Sequence, residues 1–148
     1  MIHIEAEIRF PKKLLEGAAR AALEHESESL DVDLSIILTD DARLHELNLN
    51  YLGVDASTDV LSFPASETDP ETGARYIGDI LISVPRAQAQ AGAAGHPLEA
   101  ELQLLVVHGV LHLLGHDHAR AKEKARMWKA QAEVLQSLGL GHIEIREE

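Results

Sequence analysis

Apolar and polar residues alternate from the start of the chain. Ile2, Ile4, Ala6, Ile8 and Phe10 share one face of an extended segment, which predicts a strand over residues 2–10. Pro11 then fits the first turn of a helix, where its missing N–H costs nothing. Leu14, Leu15, Ala18, Ala19, Ala22 and Leu23 give that helix an apolar stripe. Residues 32–38, rich in β-branched side chains, predict a second strand. Thr39 and Asp40 are N-cap types for a short helix through Leu44, Leu47 and Tyr51. Residues 60–63 read as a short third strand stopped by Pro64. Residues 65–75 hold Pro70, Gly73 and several acids, and read as an exposed loop. Residues 77–84 predict a fourth strand, and Pro85 opens a helix through Gln90.

The pattern then changes. Residues 99–114 are apolar on nearly every side, the mark of a central, buried helix, and Gly115 ends it. Residues 119–138 form a last amphipathic helix, with Ala121, Ala125, Trp128, Ala132 and Leu135 on one stripe. No repeat or linker divides the chain. The expected fold is one α+β domain over residues 1–148: a small mixed sheet of about four strands, surrounding helices and a buried central helix.

Composition narrows what such a domain does. The chain of 148 residues carries a formal net charge of -12 and no cysteine. That excludes disulfides, thiolate metal sites and a Cys nucleophile. It also disfavours a general nucleic-acid coat protein, which needs a basic surface. The N-terminus lacks the basic start and continuous apolar core of a signal peptide, and no apolar run approaches a membrane span. A soluble, cytoplasmic protein with no membrane partner is the expectation.

The chemistry concentrates in His108-Gly109-Val110-Leu111-His112-Leu113-Leu114-Gly115-His116-Asp117-His118. His108 and His112 stand at i and i+4, so a helix sets both imidazoles on one face, one turn apart. That spacing suits two ligands of one metal ion, and each buried imidazole otherwise needs a partner of its own. Gly115 can take the left-handed cap conformation and turn the chain back. A third ligand then comes from His116 or His118. Three nitrogen ligands with an open fourth position describe a catalytic zinc-type site. The common zinc-protease motif has Glu after its first histidine, as general base; here Gly109 stands there. Asp117 is the nearest carboxylate; a general base, an orienter of a histidine and a turn residue are its three readings, and the second is favoured.

This run resembles the signature of the YbeY family of bacterial rRNA maturation factors. Two further segments agree: Leu47-Asn48 through Tyr51, Asp55 and Thr58-Asp59-Val60-Leu61-Ser62-Phe63-Pro64, and Gly78-Asp79-Ile80-Leu81-Ile82-Ser83. The resemblance covers nearly the whole chain, in order. It implies a single α+β domain with one zinc-type ion on His108, His112 and His118, nickel and cobalt being equally suited to imidazole. It implies a metal-dependent endoribonuclease that prefers single strands, acting in 16S rRNA 3′-end maturation and ribosome quality control, with RNA and the small ribosomal subunit as partners. His108, His112 and Asp117 become the candidate catalytic residues. It also raises the expectation that Thr58 and Asp59 border the metal cleft. One position departs from the family, which usually carries Arg after the aromatic residue of the first segment. Here Tyr51 precedes Leu52, which removes a bidentate phosphate contact, and Arg43, one helix away in sequence, is the candidate replacement.

The cations are unevenly spread. Residues 120–129 hold five of the 13, against one acid, Glu123, so that segment is +4 and the rest of the chain -16. Lys122, Arg126 and Lys129 share one helix flank at i, i+4 and i+7, a candidate RNA-binding face beside the histidine motif. Two rival functions stay open at this level: a zinc-dependent peptidase, opposed by Gly109, and a non-catalytic ribosome-assembly factor with a structural metal. His3, His25, His45 and His142 read as isolated surface residues, His96 as a cap-region residue, and Trp128 as core packing.

Overall fold

The computed structural model describes residues 2–6, 10–28, 31–117 and 119–143. The elements run β1 (Ile2–Ala6), α1 (Lys12–His25), β2 (Val32–Thr39), α2 (Asp41–Leu52), β3 (Val60–Thr68), β4 (Arg75–Ser83), α3 (Val84–Ala94), α4 (Leu98–Leu113) and α5 (Ala121–Ser137). The four strands form one mixed sheet in the order β1-β2-β4-β3. β1, β2 and β4 are parallel, and β3 runs antiparallel along the edge of β4. The α+β expectation holds. Residues 7–9, the end of the expected first strand, lie outside the described residues.

The sheet has two unequal faces. Strict alternation buries Val32, Leu34, Ile36 and Leu38 of β2 against the main core, with Ile80 and Ile82 of β4 beside them. α1, α4 and α5 complete that core. On the other face Leu44 of α2 meets Leu61 and Leu81, with Ile37, Leu47 and Phe63 packed around them. Asp40 caps α2 as expected, its side chain accepting from the Arg43 amide at 2.8 Å.

α4 is the central element. It touches α1, α3, α5, β3 and β4. From Ala100 to Leu111 every residue is buried except His108, which is half-buried. A helix this apolar has no stable place on a surface, so its position follows from its composition.

One expectation near β3 is corrected. Pro64 does not stop the strand: β3 continues to Thr68, and a hairpin turn, in which the Asp69 amide bonds to the Ala74 carbonyl at 2.8 Å, replaces most of the expected loop. Pro is tolerated because β3 is an edge strand, where a missing N–H breaks no central ladder. Asp79 is an unfavourable strand residue by type, and it follows an irregularity in the sheet. The β2–β4 register shifts after Asp33, so that Leu34 pairs with Gly78 and Ile77 is the extra residue. Gly78 adopts φ 143°. Past this irregularity the Asp79 carboxylate accepts the Tyr76 hydroxyl proton, with Ser35 Oγ 2.9 Å from the same hydroxyl.

Candidate active site

The site grows out of the C-terminal half of α4. Its helical spacing sets the His108 and His112 rings 4.7 Å apart, centroid to centroid, at 71°. Both side chains are half-buried. The helix then ends as the sequence anticipates. Gly115 takes φ 99°, its amide bonds to the His112 carbonyl at 3.0 Å, and the His116 amide bonds to the Leu111 carbonyl at 3.0 Å. These two bonds form a Schellman cap, which turns the chain back over the helix end.

α5 lies beside this end and supplies what the sequence alone did not reveal. Gln131, 3% exposed, places its amide oxygen 2.9 Å from His108 Nδ1. An amide oxygen only accepts, so Nδ1 carries the proton and the lone pair sits on Nε2. That tautomer makes Nε2 the metal-binding nitrogen, in a ring oriented by a neighbour that is not itself a ligand. The Trp128 ring packs against His108 with centroids 5.9 Å apart, and Lys124 Nζ stands 5.9 Å from the Trp128 ring centre. Trp128 is thus partly core, as expected, and also a wall of the histidine site.

Gly109 faces the sheet instead. A Cβ there would lie 2.7 Å from Ile80 Cγ2, and the Gly109 carbonyl accepts from Ser62 Oγ at 3.3 Å. A glutamate at 109 would be driven into β4, away from the histidine face. The peptidase base is missing because helix–sheet contact occupies its direction.

His108 and His112 therefore fit an imidazole-bound ion: two rings on one helical face, one of them with its tautomer set. His118, the third expected ligand, lies outside the described residues. Among the described residues no group of three or more His, Asp or Glu side chains converges as a metal shell. His116 points elsewhere, its Nε2 bonded to the Glu26 carboxylate at the end of α1. Asp117 is exposed, and its Oδ1 accepts from the Ala119 amide at 3.2 Å, a turn contact.

A cleft of about 470 Å³ opens beside this turn, lined by His25, Glu26, His116, Asp117, Arg126 and Lys129 among others. Two of the three expected RNA-binding cations thus share a wall with the loop that leads to His118. Lys122, exposed on the same helix, does not line it. His25 is on the surface but not isolated. Its Nδ1 lies 2.8 Å from Glu26 Oε2 and its Nε2 3.2 Å from Glu133 Oε2. Burial alone pushes the His25 pKa down, yet the two carboxylates outweigh it and hold the imidazole above its ordinary value. Burial pushes Glu26 up, and its bonds to His116 and His25 outweigh that and hold it below the usual carboxylate range.

Other expected residues go elsewhere. Asp59, 1% exposed, lies 3.4 Å from Thr58 Oγ1. With its amide turned to satisfy both acceptors, Gln90 donates to Asp59 at 3.3 Å and to buried Glu101 at 3.1 Å. Glu101 also holds His96 Nε2 at 2.6 Å, so His96 is a buried partner rather than a simple cap residue. This polar cluster sits near the start of α4, and Glu101 is about 10 Å along the helix axis from His108. Asp59 contributes to packing there, not to the histidine pair. Tyr51 and Leu52 are 70% and 58% exposed, and the Tyr51 ring meets Phe63 edge-on at 5.8 Å, on the α2 side of the sheet. Arg43 is exposed on α2.

The missed residues carried a faint signal. Gln131 interrupts the buried series Met127, Ala130, Val134 and Leu135, and Glu101 interrupts the apolar run of α4. A polar side chain on a buried stripe demands a partner. Nothing local names it.

Comparisons with known proteins identify the family. The family model described as Endoribonuclease YbeY matches residues 3–139. The Endoribonuclease YbeY of Roseiflexus sp. (strain RS-1) is 47% identical over 137 residues, covering 88% of this chain and 86% of its own length. That of Pelotomaculum thermopropionicum is 45% identical over 130 residues, covering 86% of each. A solution structure from Thermotoga maritima is 29% identical, covers 99% of this chain and 97% of its own, and superposes with a TM-score of 0.59.

Proposed function

The chain belongs to the Endoribonuclease YbeY family, and from that premise we propose that it hydrolyses single-stranded RNA at a metal ion held by His108, His112 and His118. The observation that carries the proposal is the pair of imidazoles on α4, with Gln131 fixing the His108 tautomer. Zinc suits such a site, and nickel and cobalt do too. When bound, the ion supplies Lewis-acid polarisation of a phosphoryl oxygen and acidification of water.

The chain's own residues do the rest. Gln131 holds the His108 ring in one orientation, so that Nε2 is presented without a reorientation cost. Trp128 shields one side of that ring. Arg126 and Lys129, on the cleft wall, attract phosphate oxygens of a strand lying across the loop that leads to His118. With -16 outside the 120–129 segment, the remaining surface repels a polyanion, which disfavours indiscriminate RNA binding. The natural substrate we infer is the 3′ end of precursor 16S rRNA, presented on the small ribosomal subunit, with ribosome quality control as the wider role.

Metal content and RNA cleavage of the wild type, measured beside His108→Ala and His112→Ala with chelator controls, test this reading. Both variants should lose metal and cleavage together. Full cleavage by a metal-free double variant refutes it. Metal uptake without cleavage of any single-stranded RNA leaves a structural metal in an assembly factor. Reversing Arg126 and Lys129 to Glu should weaken RNA binding and flatten its salt dependence.

A further inference from the structure

The turn after α4 is held by more than its backbone cap. His116 stands two residues before His118, and its side chain, only 12% exposed, is bonded through Nε2 to the Glu26 carboxylate. Glu26 is the C-cap residue of α1, its own amide bonded to the Ala22 carbonyl at 3.2 Å. Its second oxygen is held by His25 Nδ1 at 2.8 Å, and His25 Nε2 reaches Glu133 of α5 at 3.2 Å. Glu133–His25–Glu26–His116 is thus a continuous chain of contacts from α5 across α1 to the turn. Gln131, two residues from Glu133 on the same helix, orients His108. One helix therefore supports both the helix-borne histidine and the loop.

We propose that Glu26 is a positioning residue for the metal site: by anchoring His116 it holds the segment that presents His118, and so raises the affinity of the site for its ion. The proposal rests on the metal reading given above. The physical reason is chain freedom. The Schellman bonds hold the backbone up to His116, and the Glu26 contact pins the side chain at that last held residue. Only Asp117 then separates a residue held at both backbone and side chain from the ligand. Without the contact, only the cap bonds and the Asp117–Ala119 turn contact hold the segment, and more of its freedom must be ordered each time the ion binds. Partners bonded directly to a ligand typically contribute about tenfold to a hundredfold in metal affinity, and Glu26, one step further out, is expected at the lower end of that range. Glu26 is not a ligand in this account, because its two oxygens are already engaged by His116 and His25.

The test measures metal binding, not turnover. Wild-type protein, Glu26→Ala, Glu26→Gln and His116→Phe are titrated with zinc alone against a chromophoric chelator. The same proteins are loaded with cobalt(II), whose visible bands report ligand geometry, and far-UV circular dichroism of the apo proteins reports the fold. Glu26→Ala and His116→Phe should each bind zinc about ten times more weakly or worse, with altered cobalt bands. Glu26→Gln keeps an oxygen acceptor for His116 and should recover most of the affinity. The Glu26→Ala/His116→Phe double variant should be no weaker than either single one, because the two residues act as a unit. A folded His116→Phe or Glu26→Ala that binds zinc as tightly as wild type overturns the inference, as do losses that simply multiply in the double variant. A wild type that takes up no metal overturns the metal reading and this inference with it, so the two failures are distinguishable.

Discussion

Gly109→Ala is the sharpest probe of how α4 is seated. The added methyl would stand 2.7 Å from Ile80 Cγ2 and 3.1 Å from both Cγ1 and Cδ1. Ile80 is fully buried in β4 and, being β-branched, has few alternative χ1 states to retreat into. Relief must come from moving the helix or the strand, and overpacking of this kind costs about 1–3 kcal/mol. Alanine at a helix interior returns about 1 kcal/mol relative to glycine. The net expectation is a destabilisation of up to about 2 kcal/mol, a fall in melting temperature of up to roughly 8 °C for a domain of this size. Urea unfolding followed by circular dichroism, at one pH and with unchanged slope, reads it directly. The cycle with Ile80→Ala isolates the contact, since that change removes all three clashing atoms. In the Ile80→Ala background the same Gly109→Ala substitution should be neutral or stabilising by up to about 1 kcal/mol. A wild-type background in which Gly109→Ala is stabilising refutes the packing argument. So does an equal effect in both backgrounds. The result also bears on function, because His108 adjoins the altered position and His112 is on the same helix.

Gly78→Ala should be worse than Gly109→Ala, costing more than about 3 kcal/mol, because its Cβ would run into the Phe63 carbonyl and meet Leu113 Cδ2 at 2.6 Å at φ 143°; a melt no lower than that of Gly109→Ala contradicts this. Gln131→Leu leaves the His108 Nδ1–H without its acceptor and should lower zinc affinity by about tenfold to a hundredfold, read by chelator competition. The Arg86 guanidinium, bound to Asp41 through Nε and Nη2 at 3.0 Å each, holds that carboxyl well below its ordinary 3.8. Its folded pKa is depressed, so its stabilisation is present above 3.8 and is lost as the pH falls further; Asp41→Asn should flatten the acid limb of a stability–pH curve, and an unchanged limb excludes the pair as a cause. For His25 the sign reverses: its raised pKa gives stabilisation that is full below 6.5 and lost as the pH climbs through the folded value, so His25→Gln should reduce the decline on the alkaline side.

Pro64 shows what local reading misses. Its lack of an N–H breaks a central strand but not an edge strand, and whether β3 lies at the edge depends on which strands pair. Asp79 teaches the same lesson: its face is set by the register shift between β2 and β4, which neither strand encodes by itself. Thr58 and Asp59 belong to a segment matching the family, yet Asp59 faces α3 and Gln90 rather than the histidine pair.

The sequence by itself determined the helix–strand order, the central place of α4, the histidine spacing, the turn at Gly115 and the family. Each of these depends on residues within a few positions of one another, through helical periodicity, burial demanded by composition, or a left-handed cap. The tertiary structure alone decided which polar groups meet. Gln131 is 23 residues from His108, and Glu26 is 90 from His116. Each partner is marked only by being polar where burial or a helix end requires company. The pairing follows from how α1, α4 and α5 pack, and side-chain contact at such separations has no local signature.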